Sequence, residues 1–259
     1  MSFKLNLNPT ASCALPNVRV ISVQGRDCAG FLQAQLMNDV TALASSQWQY
    51  TGWLNAQGRV MALFQLVELS DDQFLIILSS LSPDWLIDNM KRFIFRSKAE
   101  FSILPNVHAS GEILAASDVP SANKDISGDI ESQLSINMPN PFCMRRMHLC
   151  RTPANADAGA LNQWHCIDMK IGWPNIDNAL QNLWTPQMLS LQTLNAFSLK
   201  KGCYPGQEIV ARTHYLGKSK RHLVRIGGYN LSDAQTLFQN DLEIGKVVNA
   251  NQPGDFAIA

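Results

Sequence analysis

The chain has 259 residues, enough for one large domain or two smaller ones with an ample core. Hydrophobic residues make up 46% and charged residues 16%, which excludes a disordered chain, and a formal net charge of zero gives no whole-chain argument for nucleic-acid or membrane binding. The longest apolar run that reads as an element, Phe74 to Leu78, is far short of the roughly 20 residues of a spanning helix. Met1 to Pro16 lacks the apolar core of a secretory signal, so a soluble, cytoplasmic protein without a membrane partner is expected. Cys13, Cys28, Cys143, Cys150, Cys166 and Cys203 are scattered with no Cys-x-x-Cys pair. Neither a disulfide framework nor a metal site built by this chain alone is expected.

In chain order, Val18 to Val23 reads as a strand of near-alternating β-branched residues, broken by Gly25-Arg26-Asp27. Cys28 to Leu36 reads as a helix with Phe31, Leu32, Gln35 and Leu36 at helical spacing. Strands follow at Trp48 to Leu54, Arg59 to Leu69 and Gln73 to Ser79. They are joined by Asn55-Ala56-Gln57-Gly58, with Gly58 free to take positive φ, and by Asp71-Asp72. Ser82-Pro83-Asp84 reads as a capped helix start, and the helix is expected to reach about Phe95 with Trp85, Leu86, Met90, Phe93 and Ile94 inward. Lys98 to Leu104, Val107 to Ala115 and Cys143 to Arg151 read as strands, and Ser117 to Pro141 as loop with short strands. Leu161 to Ile171 reads as helix, Asn175 to Ser190 as a linker with helical turns, and Leu189 to Ala196 as a short helix. Gly206 to Leu216 reads as a helix closed by a left-handed Gly217, with strands at His222 to Tyr229 and Leu242 to Asn249. Mixed runs of strand and helix favour α+β with antiparallel sheets.

The segment hardest to explain as ordinary core or surface is Lys200-Lys201-Gly202-Cys203-Tyr204-Pro205-Gly206-Gln207-Glu208. It places a thiol in a cationic setting just before a helix start, which favours the thiolate. A tight turn around an inert buried cysteine is the competing reading. Lys200, Lys201, Arg212, Lys218, Lys220, Arg221 and Arg225 crowd one region, opposed mainly by Glu208. An anionic ligand or partner is their natural counterpart, a solvated basic face the plainer one. Glu208 and Arg212, four apart, are placed for a helix ion pair. Trp48, Tyr50 and Gly52 share a strand face that suits core packing or a stacked heterocycle.

The motif Lys201, Gly202, Cys203, Tyr204, Gly206, Gln207 and Glu208, with Pro205 at the free position and Arg212 beyond, resembles the Lys-Gly-Cys-Tyr-x-Gly-Gln-Glu signature of the YgfZ family of folate-binding proteins. These are relatives of the aminomethyltransferase (T-protein) of the glycine cleavage system. Gln24-Gly25-Arg26-Asp27, Phe31-Leu32-Gln33, Asn38-Asp39-Val40 and Leu54-Asn55-Ala56-Gln57-Gly58-Arg59 resemble the same superfamily. The resemblance implies a multi-lobed α+β arrangement with a small C-terminal β-barrel. The divisions would be folate-binding lobes over 1–173, a linker and motif helix over 174–221, and a partial barrel over 222–259. It implies tetrahydrofolate or polyglutamylated folate as ligand, and iron–sulfur client or assembly proteins as partners, including radical enzymes that modify tRNA. Direct nucleic-acid contact stays open.

On this reading Cys203 is the reactive thiol and Lys201 lowers its pKa. Gly202, Tyr204, Gly206, Gln207, Glu208 and Arg212 shape the folate-binding loop, with Arg212 holding Glu208. T-proteins carry an Asp-Asp pair where this chain has Ala62 and Leu63, which disfavours aminomethyl transfer. A folate-dependent one-carbon transferase on another substrate is the alternative. The family's barrel is usually longer than the stretch after Arg221, so the resemblance implies either a reduced barrel or a chain cut short, and closure of the barrel stays open.

Overall fold

The computed structural model describes residues 12–114, 124–217, 219–227 and 230–250, with the backbone alone at 257–258. The first sheet is antiparallel, with strands in the order β3 (Trp48–Leu54), β4 (Val60–Ser70), β5 (Gln73–Leu78), β2 (Arg19–Gln24), β6 (Glu100–Ile103). Its central strands are buried on both faces, which is why they read as near-continuous apolar runs rather than clean alternation. Ala62, Phe64 and Leu66 face one core with Phe31 and Leu32 of α1 (Cys28–Gln35) and Leu86 and Met90 of α2 (Pro83–Lys91). Leu63 and Val67 face the opposite way, into the larger core shared with the second sheet. Each such Val, Leu, Phe or Met side chain, fully buried, stabilises the fold by roughly 1.5–3 kcal/mol.

The second sheet runs β1 (Cys13–Ala14), β7 (His108–Leu114), β10 (Met144–Cys150), β9 (Leu134–Pro139), β8 (Ile126–Ser127), also antiparallel. Helix α3 (Ala158–Ile171) packs on it so closely that a side chain at Gly111 would meet the Trp164 ring at 2.5 Å. The Nε1 of Trp48 donates to the carbonyl of Asn137 (2.6 Å), joining the two sheets. Trp48, Tyr50 and Trp173 form a chain of ring contacts in the core between them. The aromatic face of β3 is therefore core, as the packing reading has it.

Residues 175–190 make turns bound to the first sheet: Val60 donates to the Trp184 carbonyl (2.8 Å) and Asn182 to that of Val60 (2.9 Å). Beyond α4 (Gln207–Tyr215) the strands are short. β11 (Arg225–Ile226), β14 (Asn249–Ala250) and β15 (Ala257–Ile258) form one sheet, and β12 (Thr236–Gln239) with β13 (Leu242–Lys246) a separate hairpin. No barrel closes among the described residues, and the small core there centres on Leu231 and Val247.

Four local expectations are corrected. Helix α2 stops at Lys91 rather than near Phe95: the chain turns so that Phe93 meets the edge of Trp53 at 5.9 Å, and Phe95 is 87% exposed. The short helix at 189–196 is a 3-10 turn, Leu191–Leu194, between left-handed Ser190 and Asn195. Helix α4 ends without a left-handed residue, because Leu216 donates to Arg212 from a right-handed conformation and Gly217 takes no positive φ. Of the strand expected at His222 to Tyr229, only Arg225–Ile226 pairs, and residues 228–229 lie outside the described set.

Helix α3 starts at Asp157, whose Oδ1 accepts from the backbone N–H of Ala160 (2.9 Å), and ends at left-handed Gly172. Asp157→Ala removes the cap and is expected to cost about 1 kcal/mol, read as a lower denaturation midpoint with an unchanged m-value.

Candidate functional site

The motif alternates between inward and outward residues. Lys201 and Tyr204 are buried, while Gly202 and Cys203 between them are exposed. Lys201 is only 7% exposed. Its ammonium donates to the carbonyls of Gln33, of Leu36 (2.5 Å) and of Asn38 (3.1 Å), and lies 4.9 Å from the centre of the Tyr204 ring. These carbonyls belong to the last turn of α1 and the loop after it, where a helix leaves its C=O groups unpaired and its dipole favours a cation. The expected role of Lys201 beside the thiol is thus corrected. An ammonium has three donors, and all three are engaged away from Cys203. Burial pulls the Lys201 amine down to about 8, opposed by the charge of Asp39. Burial pushes the Asp39 carboxyl up, but hydrogen bonds from Thr41 and Gln33 and the charge of Lys201 outweigh it and hold it below its usual value.

The far side of the loop is fixed as firmly. The hydroxyl of Tyr204 donates to the Ser198 carbonyl (3.2 Å), and burial pushes the phenol up to about 12. Gln207 donates from Nε2 to the Lys201 carbonyl (3.1 Å), closing the loop across the thiol. Gly206 takes φ 78°, and a side chain there would sit 2.5 Å from both the carbonyl oxygen of Asn55 and the Cα of Gly58. The motif and the β3–β4 hairpin turn touch backbone to backbone, which only glycine allows. The Lys201 anchor and the Gly206 crossing bring together stretches at 33–38, 55–58 and 201–207.

Glu208 and Arg212 are exposed, and no ion pair among the described residues joins them. The expected pair is corrected: in water it is worth only a few tenths of a kcal/mol, too little to order two mobile side chains. Ala62 and Leu63 lie fully inside the two cores, so neither offers a polar group to a ligand.

A cavity of about 270 Å³ opens elsewhere, where the first sheet, α3 and the C-terminal segment meet. Its walls include Gln65, Trp164, Asp168, Trp173, Asp233 and Asn249, and none of the motif residues. Gln65 stands on β4 in an otherwise apolar run, and its Oε1 is buried without a partner. Asp168 pairs with Arg145 (Oδ1 to Nη1, 2.8 Å). The Arg145 guanidinium is wholly buried, lies 4.4 Å from the centre of the Trp164 ring, and leaves Nε and Nη2 unpartnered. Gln65 and the Arg145–Asp168 pair were missed from sequence. For Gln65 the signal was present, as the lone polar residue between Phe64 and Leu66.

Residues 13–108 match the GCVT N-terminal domain. The chain is 30% identical over 254 residues to the tRNA-modifying protein YgfZ of Aliivibrio fischeri (strain MJ11), covering 89% of this chain and 76% of that protein. It is 28% identical over 241 residues to the tRNA-modifying protein YgfZ of Sodalis glossinidius (strain morsitans), covering 85% and 72%. The chain belongs to the YgfZ family. The crystal structure of the glycine cleavage system aminomethyltransferase T from Bartonella henselae superposes with a TM-score of 0.69 at 13% identity, over 95% of this chain and 76% of that one. This chain therefore has the T-protein-like fold. No helix among its described residues is long and apolar enough to cross a membrane, and no group of three or more His, Cys, Asp or Glu among them is placed to hold a metal.

Replacing Lys201 with Met leaves the carbonyls of Gln33, Leu36 and Asn38 unpaired and is expected to lower stability by about 2–4 kcal/mol in denaturant unfolding. Its amine is depressed to about 8 when folded, so the unfolded chain holds that proton more tightly as pH rises above 8. The wild-type contribution from this group therefore grows between pH 8 and about 10. A stability difference from Lys201→Met that is flat across that window overturns the reading.

Proposed function

We propose that the protein binds a reduced folate by its pterin ring in the cavity bounded by Gln65, Asp168 and Trp173, and serves in the cytoplasm as an accessory factor for iron–sulfur enzymes that modify tRNA. The observation that carries the ligand is Gln65, a buried side chain that lines the cavity and whose Oε1 has no partner. A buried acceptor without a partner is a standing cost that a ligand donor removes. A pterin carries adjacent N–H donors on a flat bicycle. Asp168, an acceptor-only carboxylate, retains lone pairs beyond its bond to Arg145. Trp164 and Trp173 supply aromatic wall for a planar ring. At 270 Å³ the cavity falls just short of the roughly 300–1,000 Å³ of small-molecule sites, which suits a heterocyclic head with its tail outside.

The role in tRNA modification is supported by the names of the relatives, and the iron–sulfur clients are what the resemblance of the motif around Cys203 implies. Cys203 is exposed at the tip of a loop pinned on both sides, so a client protein can reach its sulfur. A one-carbon transfer like that of the T-proteins is disfavoured by the buried apolar pair Ala62 and Leu63.

Titration calorimetry with tetrahydrofolate tests the ligand. Gln65→Leu is expected to weaken binding about 2- to 10-fold while leaving stability unchanged or raised, since one unpaired acceptor disappears from the core. Equal affinity for wild type and variant rules out this cavity.

Cys203→Ser tests the thiol. It is expected to fold with wild-type stability and to leave iron–sulfur enzymes underactive in cells under oxidative stress. Normal activity in that strain removes the thiol from the mechanism.

A further inference from the structure

The cations crowded near the motif remain unexplained once the cavity has been described. Residues 196–226 hold seven of the 21 Lys and Arg residues and one of the 21 Asp and Glu residues. The remaining residues then hold fourteen against twenty, so a chain of zero net charge is strongly polarised along its length. Lys201 is spent inside on backbone carbonyls. Lys200, Arg212, Lys220, Arg221 and Arg225 are exposed, and none joins any ion pair among the described residues. None of them lines the cavity, so they are not the surround of a ligand tail held inside it.

Aromatic and apolar surface is mixed with this charge. Tyr215, in the last turn of α4, is 67% exposed and stands edge-on to His214 at 4.9 Å. Arg212 is one helical turn before it, on the same side of the helix. Leu223 donates its N–H to Ser190 Oγ (3.2 Å), which ties the basic segment after α4 back to the protein body. Exposed guanidinium and ammonium groups around an exposed aromatic ring are the combination with which proteins hold RNA: cations neutralise phosphates and release counterions, and the ring stacks on an unpaired base. A purely anionic peptide would use the charge and leave the ring idle.

We propose that α4 and residues 219–225 form a face that contacts structured RNA directly. Arg212, Lys220, Arg221 and Arg225 take the phosphates, and Tyr215 stacks on an unpaired base. The proposal rests on the reading that the protein serves tRNA modification, and turns it from an action through client enzymes into direct contact with the RNA.

The test is fluorescence anisotropy of labelled bulk tRNA titrated with the full chain. Binding is expected on the order of 10⁻⁶ M in 50 mM salt, weakening on the order of 10²-fold by 200 mM if about four phosphates are neutralised. Lys220→Glu combined with Arg221→Glu is expected to weaken binding about tenfold and flatten the salt slope. Tyr215→Ala is expected to weaken it about 5-fold or more with the slope unchanged, since stacking is not screened. The double charge reversal is expected to bind tetrahydrofolate as the wild type does. Absence of tRNA binding in low salt, displacement of tRNA by polyglutamate at equal charge concentration, or unchanged affinity in the charge-reversed variant each overturns the proposal. If tRNA binding fails while tetrahydrofolate still binds, the cavity and the indirect role stand without this face. If tRNA binds and tetrahydrofolate does not, the face stands without the cavity.

Discussion

The site depends on a buried ammonium. Taking the charge of Lys201 out of water costs several kcal/mol, and three carbonyls at the end of α1 offset that cost in part, with burial still holding the amine down at about 8. Those carbonyls in turn have no helical partner, so neither side is stable without the other. Around them Asn38 donates to the carbonyls of Tyr50 (2.9 Å) and Asn195 (2.7 Å), and Ser198 donates to that of Met37 (2.9 Å). The turn after α1, strand β3 and the approach to the motif are thus one hydrogen-bonded unit. The exposure of Cys203 follows from it. With Lys201 held inward on one side and Tyr204 on the other, the two residues between them can only face out.

The second constraint is steric. Gly58 and Gly206 meet where no side chain fits, so the hairpin turn sets the height of the motif loop and the start of α4. The hairpin is itself fixed by Asn55, whose Oδ1 accepts from Gln57 (3.0 Å) and Arg59 (2.9 Å). Residues more than a hundred positions apart in sequence thus define one loop. The hairpin turn and the motif loop are each other's contact surface.

Much of the fold was legible because its signals are local. The ends of β3 and the turn at Gly58 follow from alternation and glycine chemistry, and the α+β arrangement from the order of elements. The exposed thiol, the buried aromatics of β3 and the basic segment were also visible. What was not legible depends on direction in space. Lys201 lies two residues before Cys203 in sequence but points to a helix end 165 residues away. The spacing of Glu208 and Arg212 allows a pair that water makes worthless. Arg145 and Asp168 sit on a strand and a helix whose packing no periodicity reveals. The left-handed glycine of α4 lies at its start rather than its end, because a backbone crossing there demands it.

The cavity and the thiol are separate places joined by one strand. Strand β4 begins two residues after Gly58, against the motif, and carries Gln65 to the cavity wall. It is buried on both faces and paired on both edges, so it is among the least deformable parts of the protein. A ligand shifts a conformation only as far as it binds two states differently, and a strand held on four sides offers no second state. A ligand bound in the cavity as proposed would therefore act on the loop through stability rather than through a switch. A donor supplied to the unpartnered acceptor of Gln65 would strengthen the layer on which the hairpin, the motif loop and α4 all rest.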